Sequence, residues 1–364
     1  MMNEADVDFI LTENEYTNKL NGFNLRLIDC EICVLETPAV QRAETAKPES
    51  SAYVLYTSGT TGKPKGVCVS NRNVCHYVRA FENEFHPTVG DIMLQYSVCS
   101  FDIFVEEVFT SLLNGASLAI QSVEDKENVH SLMSFVEKHN ITMLSGFPYL
   151  LAELNHLPKI PASLRLLISG GDVLRGAYVD NLLPQAEIYN TYGPSATTVC
   201  ASYYHCNNGK VLEDGTYPIG QAVKGAEIHI LDKAGNEVAD GKTGEICIYG
   251  DGVSYGYIGD RKEENKAFET LSDGKVMYRS GDLGYILPSD DIAFLHRKDT
   301  QIMIYGKRVE VAEVESTLYQ CTGISQAVVR AFTDENNLSY MIAYIVPSEN
   351  DIKVSDIKMN YQKI

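Results

Sequence analysis

The sequence predicts an α/β protein: a large N-terminal lobe of mainly parallel sheets covered by helices, with a small β unit, and a small, incomplete C-terminal α+β lobe. Short apolar runs alternate with runs of helical period as far as about residue 215, which is typical of parallel strands joined by helices. Short runs separated by Gly, Asp and Lys turns follow over about 215–298 and are typical of antiparallel strands. The pattern changes again near Asp299, which predicts a large lobe over 1–298 and a small lobe over 299–364.

The elements of the large lobe are predicted from the period of their apolar residues and from the residues that bound them. The first strand leads into a glycine-rich loop, and Asn71 or Asn73 is available as the N-cap of the helix beyond it. The predicted strands are Ala52–Thr57, Ile141–Leu144, Leu164–Ser169 and Glu187–Asn190. The predicted helices are Val74–Phe85, one that bears the apolar stripe Val129–Val136, Pro148–His156, and Leu174–Leu183, which Pro184 ends.

The β unit and the small lobe are predicted in the same way. In the β unit, the short apolar runs predict the strands Ile228–Asp232, Glu245–Tyr249, Met277–Arg279 and Ile292–Leu295. In the small lobe, the pattern predicts the strands Gln301–Ile304, Ala327–Phe332 and Tyr340–Val346 and the helix Val311–Tyr319.

Composition excludes several classes of function. The 364 residues include 30 basic and 49 acidic side chains, a net charge of −19, which argues against a nucleic-acid partner. No apolar run reaches the roughly 18–20 residues of a membrane span, and the acidic N-terminus lacks the pattern of a secretory signal, so we expect a cytoplasmic chain without a membrane partner. Cys30 and Cys33 have CxxC spacing but no second pair nearby, so we predict buried thiols and no structural zinc.

The segment Tyr56–Gly66 is the first that indicates chemistry. It reads YTSGTTGKPKG, with three glycines, two lysines and four hydroxyl side chains, a composition suited to surrounding phosphate oxygens. It is not the P-loop of nucleotide triphosphatases, because Thr57 stands where that loop needs glycine and Pro64 follows Lys63. We therefore predict a phosphate-binding loop of another kind.

This string resembles the signature of the adenylate-forming (AMP-binding) superfamily, and in particular the amino-acid adenylation domains of non-ribosomal peptide synthetases. Further segments resemble family motifs in the same order, over roughly residues 5–346. They are SFDIFVEE (100–107), NTYGPSATT (190–198), GEICIYGDGVSYGYIG (244–259), YRSGDL (278–283) and FLHRKDTQIMIYGKRVEVAEVE (294–315).

The resemblance implies attack of a substrate carboxylate on the α-phosphorus of ATP, which gives an acyl-adenylate and pyrophosphate. Thr57, Lys65 and Arg297 would be catalytic, and Asp282 would hold the ribose hydroxyls. The nucleotide would be bound by Thr57, Ser58, Gly59, Thr60, Thr61, Gly62, Lys65, Gly170, Gly171, Asn190, Tyr192, Asp282 and Arg297. Taken singly, Tyr192 also fits turn packing and Asp282 also fits a Gly-Asp turn.

Asp102 indicates the substrate class. A carboxylate within an apolar run is costly to bury without a cation, and the matching family residue pairs with an α-ammonium group. Asp102 could instead cap a helix in solvent. The resemblance implies that the other pocket residues are Ile103, Glu106, Ser145, Ile168, Gly170, Thr191, Val199 and Cys200. The acid Glu106 among small and apolar residues suits a cationic side chain, so we expect lysine or otherwise ornithine as the substrate.

Three departures from the family pattern affect the expected activity. Ala196 stands where the family has a magnesium-binding glutamate, which predicts a weakened Mg²⁺ site. The chain stops at Ile364, before the family's C-terminal lysine, and only 55 residues precede Tyr56, so we expect a piece truncated at both ends. In the segment at the lobe junction, Met303, Tyr305 and His296 replace Lys, Arg and Gly.

The resemblance also implies partners and alternatives. The activated amino acid would pass to a carrier protein, which alone would bear phosphopantetheine, beside neighbouring synthetase modules. Asp299 would be the hinge of the small lobe, although it equally fits an exposed turn. A catalytically impaired relative that binds nucleotide or amino acid is one alternative, and an acyl-CoA synthetase, which Asp102 disfavours, is another.

Overall fold

The computed structural model describes the chain except for residues 3, 21, 23–24, 31–45, 59–63, 123–127, 273, 299–300, 305–306, 322, 335–338 and 349–364. The predicted α/β class is confirmed. Within the described part, no helix is both long and apolar enough to cross a lipid bilayer. Asp299 lies outside the described residues, so the lobe boundary and the hinge stay predictions.

The first elements form two small sheets and a long helix. A parallel pair, β1 (Phe9–Thr12) and β2 (Arg26–Asp29), flanks the short helix α1 (Thr17–Leu20). An antiparallel hairpin follows, made by β3 (Ser51–Thr57) and β4 (Lys65–Ser70), and it leads directly into α2 (Asn71–Phe85). Strand β4 was not predicted, because Pro64 and the loop before it hide its start.

The helix α2 begins at Asn71, three residues before the predicted start at Val74. Its N-cap is Ser70, and not Asn71 or Asn73. The Ser70 hydroxyl accepts from the Asn73 backbone N–H at 3.2 Å, while the Asn73 side chain accepts from the Ser70 N–H at 2.9 Å, which is a capping box. Asn73 also donates to the carbonyl groups of Asp251 and Val253, at 2.6 and 2.9 Å. The start of α2 is therefore fixed both locally and against the β unit.

Ser70→Ala is expected to lower the free energy of unfolding by about 1 kcal/mol, because it removes the acceptor for one orphan N–H at the start of α2. Urea denaturation gives this difference. Ser134→Ala is the matched control, since that exposed hydroxyl donates only to the carbonyl of His130 within a helix and its loss is expected to be close to neutral. Equal effects of the two substitutions would contradict the cap.

A seven-stranded sheet forms the centre of the large lobe, in the order β11-β10-β9-β8-β7-β5-β6. Strands β5 to β9 are parallel, and β10 and β11 join one edge antiparallel. The strands are β5 (Ile92–Gln95), β6 (Ser117–Ile120), β7 (Met143–Gly146), β8 (Leu166–Ser169), β9 (Glu187–Tyr192), β10 (Ser202–His205) and β11 (Gln221–Ala222). The carboxyl ends of β7, β8 and β9 therefore meet at one edge.

Helices cover both faces of this sheet. They are α3 (Asp102–Val105), which continues as a π-helical turn (Glu106–Thr110), α4 (Val129–Lys138) and α5 (Pro148–Asn155). Alternating strand residues separate the two cores: Leu167 packs on the side of α4 and α5, and Ile168 packs on the side of α2. The predicted arrangement, a mainly parallel sheet covered by helices, is confirmed.

The predicted helix Leu174–Leu183 is wrong. Only Gly176–Tyr178 forms a 3₁₀ turn. The backbone of this segment bonds across to another loop instead: the Gly176 N–H donates to Gly215 and the Tyr217 N–H donates to Leu174. Its buried apolar residues Leu174, Val179 and Leu182 are spaced by five and three, which does not give a helical stripe, and Gly176 weakens helix formation further.

The antiparallel strands predicted over 215–298 are confirmed, as a five-stranded sheet in the order β12-β13-β15-β14 with β16 also paired to β15. They are β12 (Ala226–Leu231), β13 (Gly244–Gly250), β14 (Phe268–Thr270), β15 (Val276–Ile286) and β16 (Ile292–Arg297). Beyond residue 300, the described elements are the hairpin β17 (Gln301–Ile304) and β18 (Lys307–Glu310), the helix α6 (Val311–Gln320), and the hairpin β19 (Ile324–Thr333) and β20 (Ser339–Pro347).

Candidate active site

Two carboxylates project from the start of one helix. Asp102 is the first residue of α3, after the N-cap Phe101, and Glu106 follows one turn later as the first residue of the π-helical turn. Side chains four apart on a helix lie on the same face, with Cβ atoms about 6 Å apart. Asp102 is half-buried and Glu106 is fully buried, so one carboxyl of the pair is more exposed than the other, and we call the region around the two the acidic pocket.

The inner carboxyl, Glu106, is surrounded by uncharged donors. The Tyr77 hydroxyl of α2 donates to its Oε2, and the Ser145 hydroxyl of β7 bonds to it as well. Burial raises the pKa of Glu106, and these two hydrogen bonds oppose that rise without cancelling it. Asp102 raises this pKa further. A buried acid of this kind gains most from a cation that enters the pocket.

Glu107, the next residue, holds the segment that enters α3. Its carboxylate accepts from the backbone N–H groups of Tyr96 and Ser97, at 3.1 and 3.0 Å, and from the Ser97 hydroxyl at 2.8 Å. The sequence does not single out Glu107, because nothing in its pattern shows that both of two adjacent acids are buried. It fixes the position of the acidic pocket relative to the end of β5.

Glu107 is expected to make stability depend on pH. Burial raises the pKa of Glu107 to about 7 from its ordinary 4.5. The folded state therefore holds a proton that the unfolded state loses between these values, so the contribution is present below about pH 4.5 and is lost as pH rises to about 7. Urea denaturation from pH 5 to 8 should show a fall in stability that is larger in wild type than in Glu107→Gln by about 2–3 kcal/mol, since Glu106 is present in both. Parallel curves for the two proteins would contradict this assignment.

The predicted pocket residues come together at the carboxyl ends of three parallel strands. Ser145 pairs with Ile168 in register, and Thr191 lies near the end of the next strand, β9. Ile168 packs in one core with Val199 and Cys200, and the Cys200 thiol is in hydrogen-bonding contact with Thr191. Ile103 is buried next to Asp102 on α3. The structure thus brings the predicted residues into one region, on the α2 side of the sheet.

Glycines keep this region narrow. A Cβ on Gly170 would lie 2.6 Å from the Thr191 Oγ1, and a Cβ on Gly171 would lie 2.8 Å from the Phe147 ring. Gly171 also has a φ of +80°, which favours glycine. Val199, which packs in the same core as Ile168, has a φ of +69°, a strained backbone for a β-branched residue and a feature that clusters at functional sites.

Three tyrosines that the sequence did not single out line the same region: Tyr53, Tyr77 and Tyr203. The Tyr77 hydroxyl donates to Glu106, and Tyr203 packs in the same core as Tyr77. The Tyr53 ring packs against the same core. In sequence each fits the apolar period of its own element, so no pattern separates them from ordinary core aromatics.

A second cluster forms around Asp282, opposite Arg297 in the β15–β16 register. The Arg297 Nη1 donates to the Asp282 Oδ1 at 2.7 Å, and the Tyr192 hydroxyl donates to the other carboxylate oxygen at 2.6 Å. Asp282 is buried, whereas Arg297 is 17% exposed. Burial and the nearby Asp282 charge raise the pKa of Tyr192. Three of the predicted nucleotide-binding residues therefore meet at one carboxylate, because Tyr192 and Arg297 both bond to Asp282.

Asn190 is engaged elsewhere in the described structure. Its amide nitrogen donates to the Pro218 carbonyl at 2.8 Å, and it is buried on the face of β9 that it shares with Tyr192. Its predicted bond to an adenine edge stays a prediction. Thr191, between them, faces the acidic pocket. Consecutive residues of β9 therefore join the two clusters through a single strand.

The glycine- and lysine-rich loop joins β3 to β4, where Thr57 and Lys65 are register partners. Gly59, Thr60, Thr61 and Gly62 lie outside the described residues, while Ser58 precedes them. The Lys65 Nζ lies 4.6 Å from the centre of the Tyr257 ring. The motif at 244–259 pairs with β4 through a bridge between Tyr257 and Val67. Just beyond this motif, Arg261 donates to the Pro64 carbonyl at 2.8 Å. The described flank of the loop, from Pro64 onward, is thus in contact with the chain around Tyr257 and Arg261.

Ala196 does not offer a metal ligand. It is 3% exposed and packs in the apolar core of the β unit, with residues such as Ile219 and Val253. Among the residues that the structure describes, no group of three or more His, Cys, Asp or Glu side chains could hold a metal ion. Position 196 therefore supplies no magnesium ligand.

This fold and the motifs that carry the two clusters are those of AMP-binding proteins. The chain belongs to the AMP-binding enzyme family, whose family model matches residues 2–258. It is similar to bacitracin synthase 2 of Bacillus licheniformis, at 33% identity over 369 residues, and it spans 14% of the length of that protein.

Solved structures agree on the fold. The Vibrio cholerae adenylation domain AlmE, determined with glycyl-adenosine-5'-phosphate, has a TM-score of 0.85 at 22% identity, over 100% of this chain and 75% of that one. NpsA-ThdA of Klebsiella oxytoca, an artificially fused adenylation–PCP di-domain, has a TM-score of 0.86 at 21% identity, over 99% of this chain and 72% of that one.

Proposed function

We propose that this chain activates an α-amino acid with ATP, gives an aminoacyl-adenylate and pyrophosphate, and serves non-ribosomal peptide synthesis. The observation that carries the proposal is the joining of an acidic pocket and the Asp282 cluster through Thr191 and Tyr192 of β9. Family membership supports the adenylate chemistry, and the similarity to a bacitracin synthase supports the peptide product class. Lysine, or otherwise ornithine, is the proposed substrate.

The substrate would be held at both ends by carboxylates. Asp102, at the more exposed end, would pair with the α-ammonium group, and Glu106 would pair with the side-chain ammonium. Tyr77 and Ser145 already donate to Glu106, so both would steady the ionised carboxylate as the cation enters. An amino acid that lacks a side-chain cation would leave this buried acid uncompensated.

In the proposed reaction, a carboxylate oxygen of the amino acid attacks the α-phosphorus. The new O–P bond forms as the bond to the bridging oxygen of the β-phosphate breaks, and the electron pair leaves with pyrophosphate. The family resemblance assigns the ribose hydroxyls to Asp282, whose carboxylate already receives Tyr192 and Arg297, so the sugar would be bound beside these two side chains. Arg297 and Lys65 would offset charge on the phosphates.

Two further proposals concern partners and cosubstrates. The adenylate would be passed to the phosphopantetheine thiol of a carrier protein, which fits the similarity in fold to an adenylation–PCP fusion. Mg²⁺ would accompany ATP at a weakened site, because Ala196 brings a methyl group and no oxygen ligand. The same observation favours a second candidate, a relative that binds ATP and an amino acid without activating it.

The test is ATP–pyrophosphate exchange over the set of amino acids, beside isothermal titration with ATP and with lysine. Exchange with lysine or ornithine at least about tenfold above all others supports the proposal. Preference for an apolar or acidic amino acid overturns the substrate assignment. Binding without exchange supports the second candidate, and exchange with fatty acids alone indicates an acyl-CoA synthetase.

A further inference from the structure

Tyr53 has a buried hydroxyl group without a partner. Its ring packs against the core on the α2 side of the sheet, and its Oη is screened from solvent. Among the described residues, no group lies within hydrogen-bonding distance of this oxygen. An unsatisfied buried hydroxyl destabilises the folded state, and native proteins rarely leave one in place without a reason.

The unpartnered hydroxyl lies close to the acidic pocket. Burial and then the negative charge of Asp102 raise the pKa of Tyr53, which places the phenol within electrostatic reach of that carboxylate. The two groups are near each other and yet do not form a hydrogen bond. A polar group of a ligand that enters beside Asp102 would give the hydroxyl the partner it lacks.

Strand β3 connects this position to the glycine- and lysine-rich loop. Alternate residues of this strand, Tyr53, Leu55 and Thr57, share one face, and Tyr53 and Leu55 both pack against the α2-side core. Four residues of an extended strand span about 13 Å. The strand therefore has the length to place Tyr53 at the head of an amino acid and Thr57 at the phosphate end of a nucleotide.

We propose that Tyr53 is a substrate-binding residue whose hydroxyl oxygen accepts a hydrogen bond from the α-ammonium group of the bound amino acid. The ammonium has three N–H donors, so it can serve Asp102 and Tyr53 together. This inference rests on the proposed function, because it takes Asp102 as the site of the α-ammonium. It adds a recognition element from β3, outside the set of pocket residues that the family resemblance implies.

Tyr53→Phe provides the test. Its expected effects are opposite in sign: the free protein keeps or gains stability in urea, because an unsatisfied group is removed, whereas the Kd for lysine rises about tenfold. The second ligand is 6-aminohexanoate, which is lysine without its α-amino group. The preference of the protein for lysine over 6-aminohexanoate is expected to fall by the same factor, with the affinity for ATP unchanged.

Tyr249→Phe is the matched control, because this tyrosine lies on β13 in the β unit, and all three quantities should stay at wild-type values. An unchanged preference between the two ligands in Tyr53→Phe overturns the proposal, as does a loss of stability without a change in preference. If wild type binds no amino acid and catalyses no exchange, the proposed function fails, and the role of Tyr53 fails with it. The two failures can be told apart, because an unchanged preference in Tyr53→Phe can be measured only if the wild-type protein binds lysine.

Discussion

Glu106→Gln is expected to reverse the preference of the acidic pocket, with ATP–pyrophosphate exchange on lysine falling by about 100-fold and exchange on norleucine or glutamine rising. The amide keeps the shape of the side chain and can still accept from Tyr77 or Ser145, so the pocket should stay intact. What it loses is the negative charge that a buried ammonium requires. The free protein should also become more stable, because burial already disfavours the charged form of Glu106.

Two companion variants separate this effect from general damage. Glu82→Gln, on the exposed face of α2, should leave exchange and stability unchanged. Asp102→Asn should lower exchange with every α-amino acid by a similar factor, because it acts on the group that all of them share. If Glu106→Gln kept its preference for lysine over norleucine, the cationic pocket would be wrong, whereas loss of all binding in Asp102→Asn alone would leave it standing.

Asp282→Asn is expected to have the second large effect, a fall of about 100-fold or more in exchange together with a loss of about 3 kcal/mol of stability. One carboxylate receives both Arg297 and the Tyr192 hydroxyl, and the amide offers a single acceptor oxygen to replace two. Removal of one member of a buried ion pair leaves the other uncompensated, which is more costly than the pair itself is worth. Exchange kinetics and urea denaturation measure the two quantities.

The control lies at the end of the same strand pair. Asp290 occupies the turn between β15 and β16 with a φ of +64°, a conformation that asparagine adopts readily, so Asp290→Asn should change neither quantity. A loss of stability in Asp282→Asn with exchange within about threefold of wild type would indicate that the cluster is structural and does not bind the ribose.

The spacing of apolar residues predicts the parallel sheet and its covering helices well, because the alternation of strands and helices is a local property of the sequence. The failure at Leu174–Leu183 has a non-local cause. Backbone bonds to the loop that contains Gly215 replace helical bonds there, and no pattern within the segment reveals that partner. The N-cap at Ser70 was missed by one residue for a related reason, since the unpredicted β4 ends at Ser70 itself.

The site divides in the same way. Motif resemblance indicates Asp102, Glu106, Thr191 and Asp282. The structure places the first two on α3 and its π-helical continuation, Thr191 near the end of β9, and Asp282 within β15. Tyr53 and Tyr77 could not be found from the sequence, because a hydroxyl that faces a carboxylate and one that faces solvent have the same apolar spacing. Only the packing of α2 and β3 against α3 distinguishes them.

The alternation of Thr191 and Tyr192 along one strand has a consequence for the evolution of the molecule. Neighbouring residues of a pleated strand point to opposite faces, so exchange of side chains on the face that carries Thr191 leaves the Tyr192 face geometrically undisturbed. Under the proposed function, point substitutions in the acidic pocket can therefore change the amino-acid substrate without disturbing the Asp282 cluster, where the nucleotide would bind. Insertion or deletion of one residue within β9 would move the side chains beyond that point to the opposite face of the sheet. We therefore expect the length of this strand to tolerate change less well than its side chains do.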